Sequence, residues 1–327
     1  MTTILEAHDQ YLAELGGNRA AETVRAYRNG LAHFLAALDT ASVDPAAQAP
    51  DVITTDHVRA MLAALAAREL APATRHLYVA ALRGFLEFLS WEDLVHIDMH
   101  KVERVSQRLP RAGYRLPQFP RDEIEKVLAS ADALKTRAVG SQREQRINFR
   151  DRAFILTLAD TGLRVHEACA LYRRDIDWPE GRAIIIGKGN KQANVRFSQR
   201  ALEAIKDYLE TRAELDGASG RQLSSLPIFI AHSRRLEALL RPMTTKTGRE
   251  IVRQRVQECL GKAASGTITP HTFRHYFVSI VLLATQGNVQ AAQKLARHSN
   301  VSTTMRYAHL ADQELDQVYT DIFDRQA

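Results

Sequence analysis

The chain has 327 residues, of which 45% are hydrophobic and 25% charged, with a formal net charge of +6. That balance excludes a disordered chain and suits a globular protein of two domains, while the positive charge favours a polyanionic partner. The excess is uneven: residues 1–118 hold 12 Lys and Arg against 14 Asp and Glu, and residues 119–327 hold 32 against 24.

The two cysteines, Cys169 and Cys259, have no paired spacing, which argues against a disulfide framework or a Cys-based zinc site. A reducing, cytoplasmic compartment is expected. The N-terminal MTTILEAHDQ has no basic start or apolar core and does not resemble a signal peptide. The longest apolar stretch, residues 276–284, falls far short of the ~20 residues of a membrane helix and predicts a buried helix. No membrane partner is expected.

Apolar periodicity predicts four or five short helices over the first ~90 residues. Val24, Tyr27, Leu31, Phe34, Leu35 and Leu38 form one stripe. Residues 39–50, rich in Ala, Pro and Asp, predict a loop. Thr54, Thr55 or Asp56 caps a second helix bearing Val58, Met61, Leu62 and Leu65. Pro72 opens a third, with Leu77, Tyr78, Ala81, Leu82, Phe85 and Leu86 along one side. Residues 100–120 carry Lys101, Arg104, Arg108, Arg111 and Arg115 among three prolines. They predict a basic linker, either a tether around a duplex or an ordinary solvated connection.

Residues 122–133 and 152–161 predict helices, with a polar surface loop over 134–150. Residues 183–186 and 192–197 predict two strands joined by a Gly/Asn turn over 187–191. A helix over 201–212, a Gly/Ser loop over 217–226 and helices from about 247 onward complete the chain. The expected fold is mainly α: an N-terminal all-α domain (1–99), a linker (100–120) and a C-terminal α+β domain (121–327) with a small antiparallel sheet.

Four separated segments carry candidate chemistry. TGLRVHE supplies Arg164 and Glu167, GKGNK supplies Lys188, HTFRH supplies His271 and Arg274, and ARHSNVSTTMRYAH supplies His298 and Tyr307, nine positions apart. Alone, each has an ordinary explanation: a surface ion pair, a solvated lysine, a core tyrosine. His271 and His275, at i and i+4, raise the possibility of zinc, but there is no HExxH arrangement or nearby Cys. Thr303 and Thr304 are expected to cap a helix or lie on the surface.

In these four motifs, in this order, the chain resembles the tyrosine recombinase (phage integrase) family, which includes the Xer-type resolvases. The resemblance covers the C-terminal domain and extends more loosely to TVRAYRNGLAHFLAAL and LAPATRHLYVAALRGFLEFL, which look like the family's helical, SAM-like core-binding domain. It implies a site-specific recombinase that cleaves and rejoins duplex DNA through a 3′-phosphotyrosine. Tyr307 would be the nucleophile, Arg164 and Arg274 the clamp on the non-bridging oxygens, Lys188 the general acid, and His271 and His298 hydrogen-bonding or proton-transfer groups. Glu167 would support a neighbouring group. Lys191 competes with Lys188. Lys191, Arg297, Arg104, Arg108 and Arg111 are candidate DNA contacts.

Guanidinium groups remain charged and donate paired hydrogen bonds, so two can stabilise the phosphoryl transition state without a metal cofactor. The covalent link conserves bond energy, so rejoining needs no ATP. The implied partners are duplex DNA with inverted-repeat core sites and further copies of the chain, as a dimer on a site and a tetramer in the synapse. Leu315, Val318, Ile322 and Phe323 form one apolar stripe that would pack into a neighbouring subunit or fold back on its own domain. A catalytically inactive DNA-binding accessory protein and a type IB topoisomerase are the alternatives.

Two positions depart from the family pattern. His166 replaces a small residue, where its ring could alter the support of Arg164. Ala296-Arg297 replaces Leu-Gly, so Arg297 must adopt a right-handed conformation or carry strain, or else supply a phosphate contact.

Overall fold

A computed structural model describes residues 2–107, 120–186, 192–232, 239–298 and 304–305. The chain divides into two compact units, Met1–Arg115 and Leu116–Ala327. The predicted turn at 187–191 with Lys188 and Lys191, the basic residues Arg108 and Arg111, Tyr307 and the tail stripe lie outside the described residues.

The first unit holds α1 (Ile4–Asn18), α2 (Ala21–Thr40), α3 (Thr55–Ala66), α4 (Pro72–Trp91) and α5 (Met99–Ser106). Local chemistry sets their starts. Thr3 Oγ1 accepts from the Glu6 N–H at 3.2 Å while the Glu6 carboxylate accepts from the Thr3 N–H at 2.8 Å, a reciprocal cap. Thr54 is the N-cap of α3, and Pro72 occupies the first turn of α4, where its missing N–H costs nothing. The predicted stripes form the core: Leu31, Phe34 and Leu38 meet Val58, Met61 and Leu65, and Leu82, Phe85 and Leu86. Burying each such side chain contributes roughly 1.5–3 kcal/mol. Leu77, predicted on the inner side, is exposed. At Gly30 an added Cβ would lie 3.0 Å from the Tyr78 Cα, so glycine permits the close approach of α2 to α4.

Three expectations are corrected here. The helices are not all short, since α2 and α4 each run 20 residues. The loop predicted from 39 begins after Thr40 and includes a 3₁₀ turn at Pro50–Val52. The stretch from 100 does not begin as a tether, because α5 is a capped helix: Asp98 Oδ1 accepts from the His100 and Lys101 N–H groups at 3.0 and 3.2 Å. Val102 anchors α5 in the first core and leaves Arg104 exposed on its surface.

The second unit holds α6 (Arg121–Asp132), α7 (Gln142–Thr161), α8 (Val165–Cys169), β1 (Ile176–Asp177), β2 (Arg182–Ile186), β3 (Gln192–Arg196), α9 (Gln199–Thr211), α10 (Ala213–Ala218), α11 (Thr245–Leu260), α12 (Pro270–Ala284) and α13 (Val289–Ala296). The strands form one antiparallel sheet in the order β1-β2-β3, with Arg182 opposite Arg196 and Ile186 opposite Gln192. Alternation puts Ala183, Ile185 and Val195 in the core and leaves Ile184 and Ile186 exposed. Phe154, Leu158, Ile205, Tyr208, Phe229, Val252 and Phe273 fill the centre.

The polar loop predicted over 134–150 is largely wrong. Ser141 Oγ accepts from the Glu144 N–H at 3.2 Å and starts α7 ten residues before the expected 152. Polarity disguised this helix because the charges at its middle are buried in pairs. Asp151 accepts from Arg150 at 2.7 Å and from Arg255 at 2.8 Å, while Arg152 reaches Asp132 and Asp207 at 2.8 and 2.9 Å. Among the described residues no helix is long and apolar enough to cross a membrane.

Candidate active site

The site forms where the end of α7, the start of α12 and the end of α13 converge. Helix α7 stops at Gly162, whose φ of 59° is left-handed and therefore suited to glycine. An added Cβ there would also meet Phe277 at 2.5 Å. The turn is braced by Thr161 Oγ1, which donates to the Thr157 carbonyl at 2.6 Å and accepts from the Leu163 N–H at 3.2 Å. Arg164 follows as the N-cap of α8. Its backbone N–H donates to Glu167 Oε2 at 2.8 Å and its Nη1 to Oε1 at 2.9 Å, so one buried carboxylate fixes both ends of the residue.

Thr269 and Pro270 start α12 and place His271 and Arg274 one turn apart. The Arg274 guanidinium is buried and donates to the carbonyls of Gly162 and Ala296. It therefore ties α12 to the ends of α7 and α13. Five N–H donors minus these two leave capacity for an anion. Beyond α13, His298 Nδ1 lies 2.8 Å from Thr304 Oγ1, with Thr304 fully buried.

Three guanidinium groups, Arg164, Arg274 and Arg297, surround the single carboxylate of Glu167. Burial raises the Glu167 pKa, but the Arg164 N–H, the Arg297 charge and the Arg164 guanidinium outweigh it and hold the carboxyl below its usual range. Burial, then Arg164 and Arg297, push Arg274 down to about 9. Burial, then Arg274 and Arg164, lower His271. Burial, Arg274, Arg164 and the other two imidazoles take His298 down to about 4. Both imidazoles are thus neutral at pH 7. The surplus of fixed positive charge makes this an anion site, suited to a phosphate.

The structure brings together Arg164, Glu167, His271, Arg274 and His298, as the motifs predict. Arg297 takes the strained alternative rather than a right-handed conformation. It is left-handed (φ 58°, ψ 44°), and its guanidinium turns inward to Glu167 and the Gly162 carbonyl. The feared disturbance by His166 does not occur, since its ring is exposed and Arg164 keeps both bonds to Glu167. Thr304 is not a surface residue. Its hydroxyl orients His298, and the i, i+6 spacing gave no periodic signal for this. His271 and His275 meet edge to face with centroids 4.2 Å apart. Among the described residues no group of three or more His, Cys, Asp and Glu is placed to hold a metal ion. A cleft beside Arg164 and His271 is also lined by Arg249 and Arg253 of α11. These were missed, although their i, i+4 spacing in GREIVRQR puts two cations on one helix face.

The model for the phage integrase family matches residues 119–314, and that for the phage integrase N-terminal SAM-like domain matches residues 8–93. The chain is 32% identical to the tyrosine recombinase XerC of Pediococcus pentosaceus, covering 79% of this chain and 78% of the relative. It is 30% identical to the tyrosine recombinase XerD of Bifidobacterium longum, covering 95% and 94%. Its fold is similar to that of XerH site-specific recombinase bound to palindromic difH substrate, with a TM-score of 0.65 at 18% identity over 91% of this chain and 79% of that one. It is also similar to that of a lambda integrase dimer bound to a COC′ core site, with a TM-score of 0.61 at 18% identity over 94% and 95%. The chain belongs to the phage integrase family and is a tyrosine-type site-specific recombinase acting on DNA.

Proposed function

We propose that Tyr307 is the nucleophile and that Arg164, Arg274, His271 and His298 form the cradle of the scissile phosphate. The Tyr307 oxygen, as the phenolate, bonds to phosphorus as the bond to the 5′-oxygen breaks, and Lys188 protonates the departing oxygen. The products are a 3′-phosphotyrosine and a 5′-hydroxyl. Reversal with a 5′-hydroxyl from another strand completes the exchange. The supporting observation is that two guanidinium groups and two neutral imidazoles, from three separated segments, converge with net positive charge. Charge grows on the equatorial oxygens during transfer, and positioned cations lower that barrier. Neutral His271 and His298 act as hydrogen-bonding groups, and Glu167 holds Arg164.

The same reading gives Lys191, Arg104, Arg108 and Arg111 to DNA contacts. It makes the substrate an inverted-repeat core site, each half bound by one protomer, with two sites joined in a tetramer. The apolar stripe from Leu315 to Phe323 links the subunits, and the reaction belongs in a reducing, cytoplasmic compartment. Incubation with a nicked suicide duplex tests the central step. The wild-type chain is expected to form a covalent protein–DNA adduct, and Tyr307→Phe none. An adduct formed by the Phe variant contradicts the assignment. Binding without strand cleavage by the wild type would reduce the chain to an accessory protein, and relaxation of supercoils at any sequence would make it a topoisomerase.

A further inference from the structure

We propose that Arg297 is a positioning residue that holds Glu167, and through it Arg164, in the geometry the reaction requires. The inference rests on the assignment of Arg164 as a phosphate-binding group. A non-glycine residue in the left-handed region costs roughly 1–3 kcal/mol and persists only where its surroundings over-determine it. At Arg297 the surroundings are polar and specific. Its side chain is 10% exposed. Nη2 donates to Glu167 Oε2 and to the Gly162 carbonyl, both at 3.3 Å, and Nη1 donates to the Leu295 carbonyl at 3.4 Å.

Both acceptors of Nη2 are shared with the phosphate-binding arginines. Glu167 Oε2 also accepts from the Arg164 backbone N–H, and the Gly162 carbonyl also accepts from Arg274. Arg297 therefore adds a second donor to the carboxylate oxygen that the Arg164 N–H already holds, and it ties the end of α13 to the turn after α7. Without it Glu167 loses one of its fixed donors and can rotate, and the Arg164 fork moves with it. The inward-facing guanidinium also explains why a strained arginine can stand where glycine would be free of strain.

The test is single-turnover cleavage of a nicked suicide duplex by wild type, Arg297→Gly, Arg297→Lys, Glu167→Gln and the Arg297→Gly/Glu167→Gln pair. Binding to intact duplex is measured in parallel. Glycine accepts the left-handed backbone, so Arg297→Gly folds without strain. Arg297→Gly is expected to lower the cleavage rate constant at saturating DNA by about 10–100-fold. Its DNA affinity should stay within about threefold of wild type, and Arg297→Lys should recover part of the rate. In the Glu167→Gln background the loss from Arg297→Gly should shrink to about twofold or less, because the two residues act as a unit. Arg297→Gly cleavage within about twofold of wild type overturns the proposal. Affinity falling in step with rate also overturns it, by making Arg297 a direct phosphate contact, as does an undiminished loss in the Glu167→Gln background. A wild-type chain that forms no adduct removes instead the reaction on which the proposal stands.

Discussion

At the scale of single residues, the candidate site crowds cations around too little negative charge. Arg164 and Arg274 are held by Glu167 and by backbone carbonyls, so their remaining donors are fixed before any phosphate arrives. In the proposed phosphate cradle, this preorganisation makes their charge effective at the transition state. The same crowding makes protonation of His298 unfavourable. Its pKa falls from 6.5 to about 4, through burial first and then Arg274, Arg164, His275 and His271. Between those values the unfolded chain binds this proton and the folded chain does not, so stability is lost as pH falls through the window. Urea titrations should show the midpoint of the wild type dropping between pH 6.5 and 4, with His298→Asn losing part of that drop. Parallel curves for the two proteins would contradict the neutral His298. The motifs made Arg164, Glu167, His271, Arg274 and His298 legible in the sequence, because their types and spacings are specific. Thr304 and the inward turn of Arg297 were not legible. The first rests on an i, i+6 contact that follows no helical or strand period, and the second on side chains more than 100 residues apart.

At the scale of elements, legibility tracked how apolar a helix is. Helices α2, α3 and α4 announced themselves by stripes, and β2 and β3 by the Gly/Asn turn between them. Helix α7 concealed its first half because Asn148, Asp151 and Arg152 are buried with partners from α6, α9 and α11, and Arg150 is buried against Asp151. Only tertiary pairing makes such a segment helical and internal. Asp151 is the critical member, since one carboxylate serves both Arg150 and Arg255. Removing one partner of a buried pair leaves uncompensated charge and typically costs about 3–5 kcal/mol. Asp151→Ala should therefore lower unfolding stability by about that amount, measured by urea denaturation, and a loss below about 1 kcal/mol would show that the network is dispensable. Helix α7 carries the turn that presents Arg164, so this buried network supports the site from beneath.

At the scale of the molecule, the surplus of cations lies in residues 119–327, the part that carries the candidate chemistry. That distribution suits a second unit that carries most of the attraction for a polyanion. If the proposed assembly is right, chemical crosslinking under strand-exchange conditions should trap a tetramer, and crosslinking that never exceeds a dimer would count against it. The proposed chemistry turns on one bond. Proteolysis of the trapped protein–DNA adduct followed by mass spectrometry of the nucleotide-bearing peptide locates that bond directly. The expected result is a phosphodiester remnant on the phenolic oxygen of Tyr307, with the DNA attached through its 3′ end. A remnant on any other residue, or attachment through a 5′ end, would contradict it.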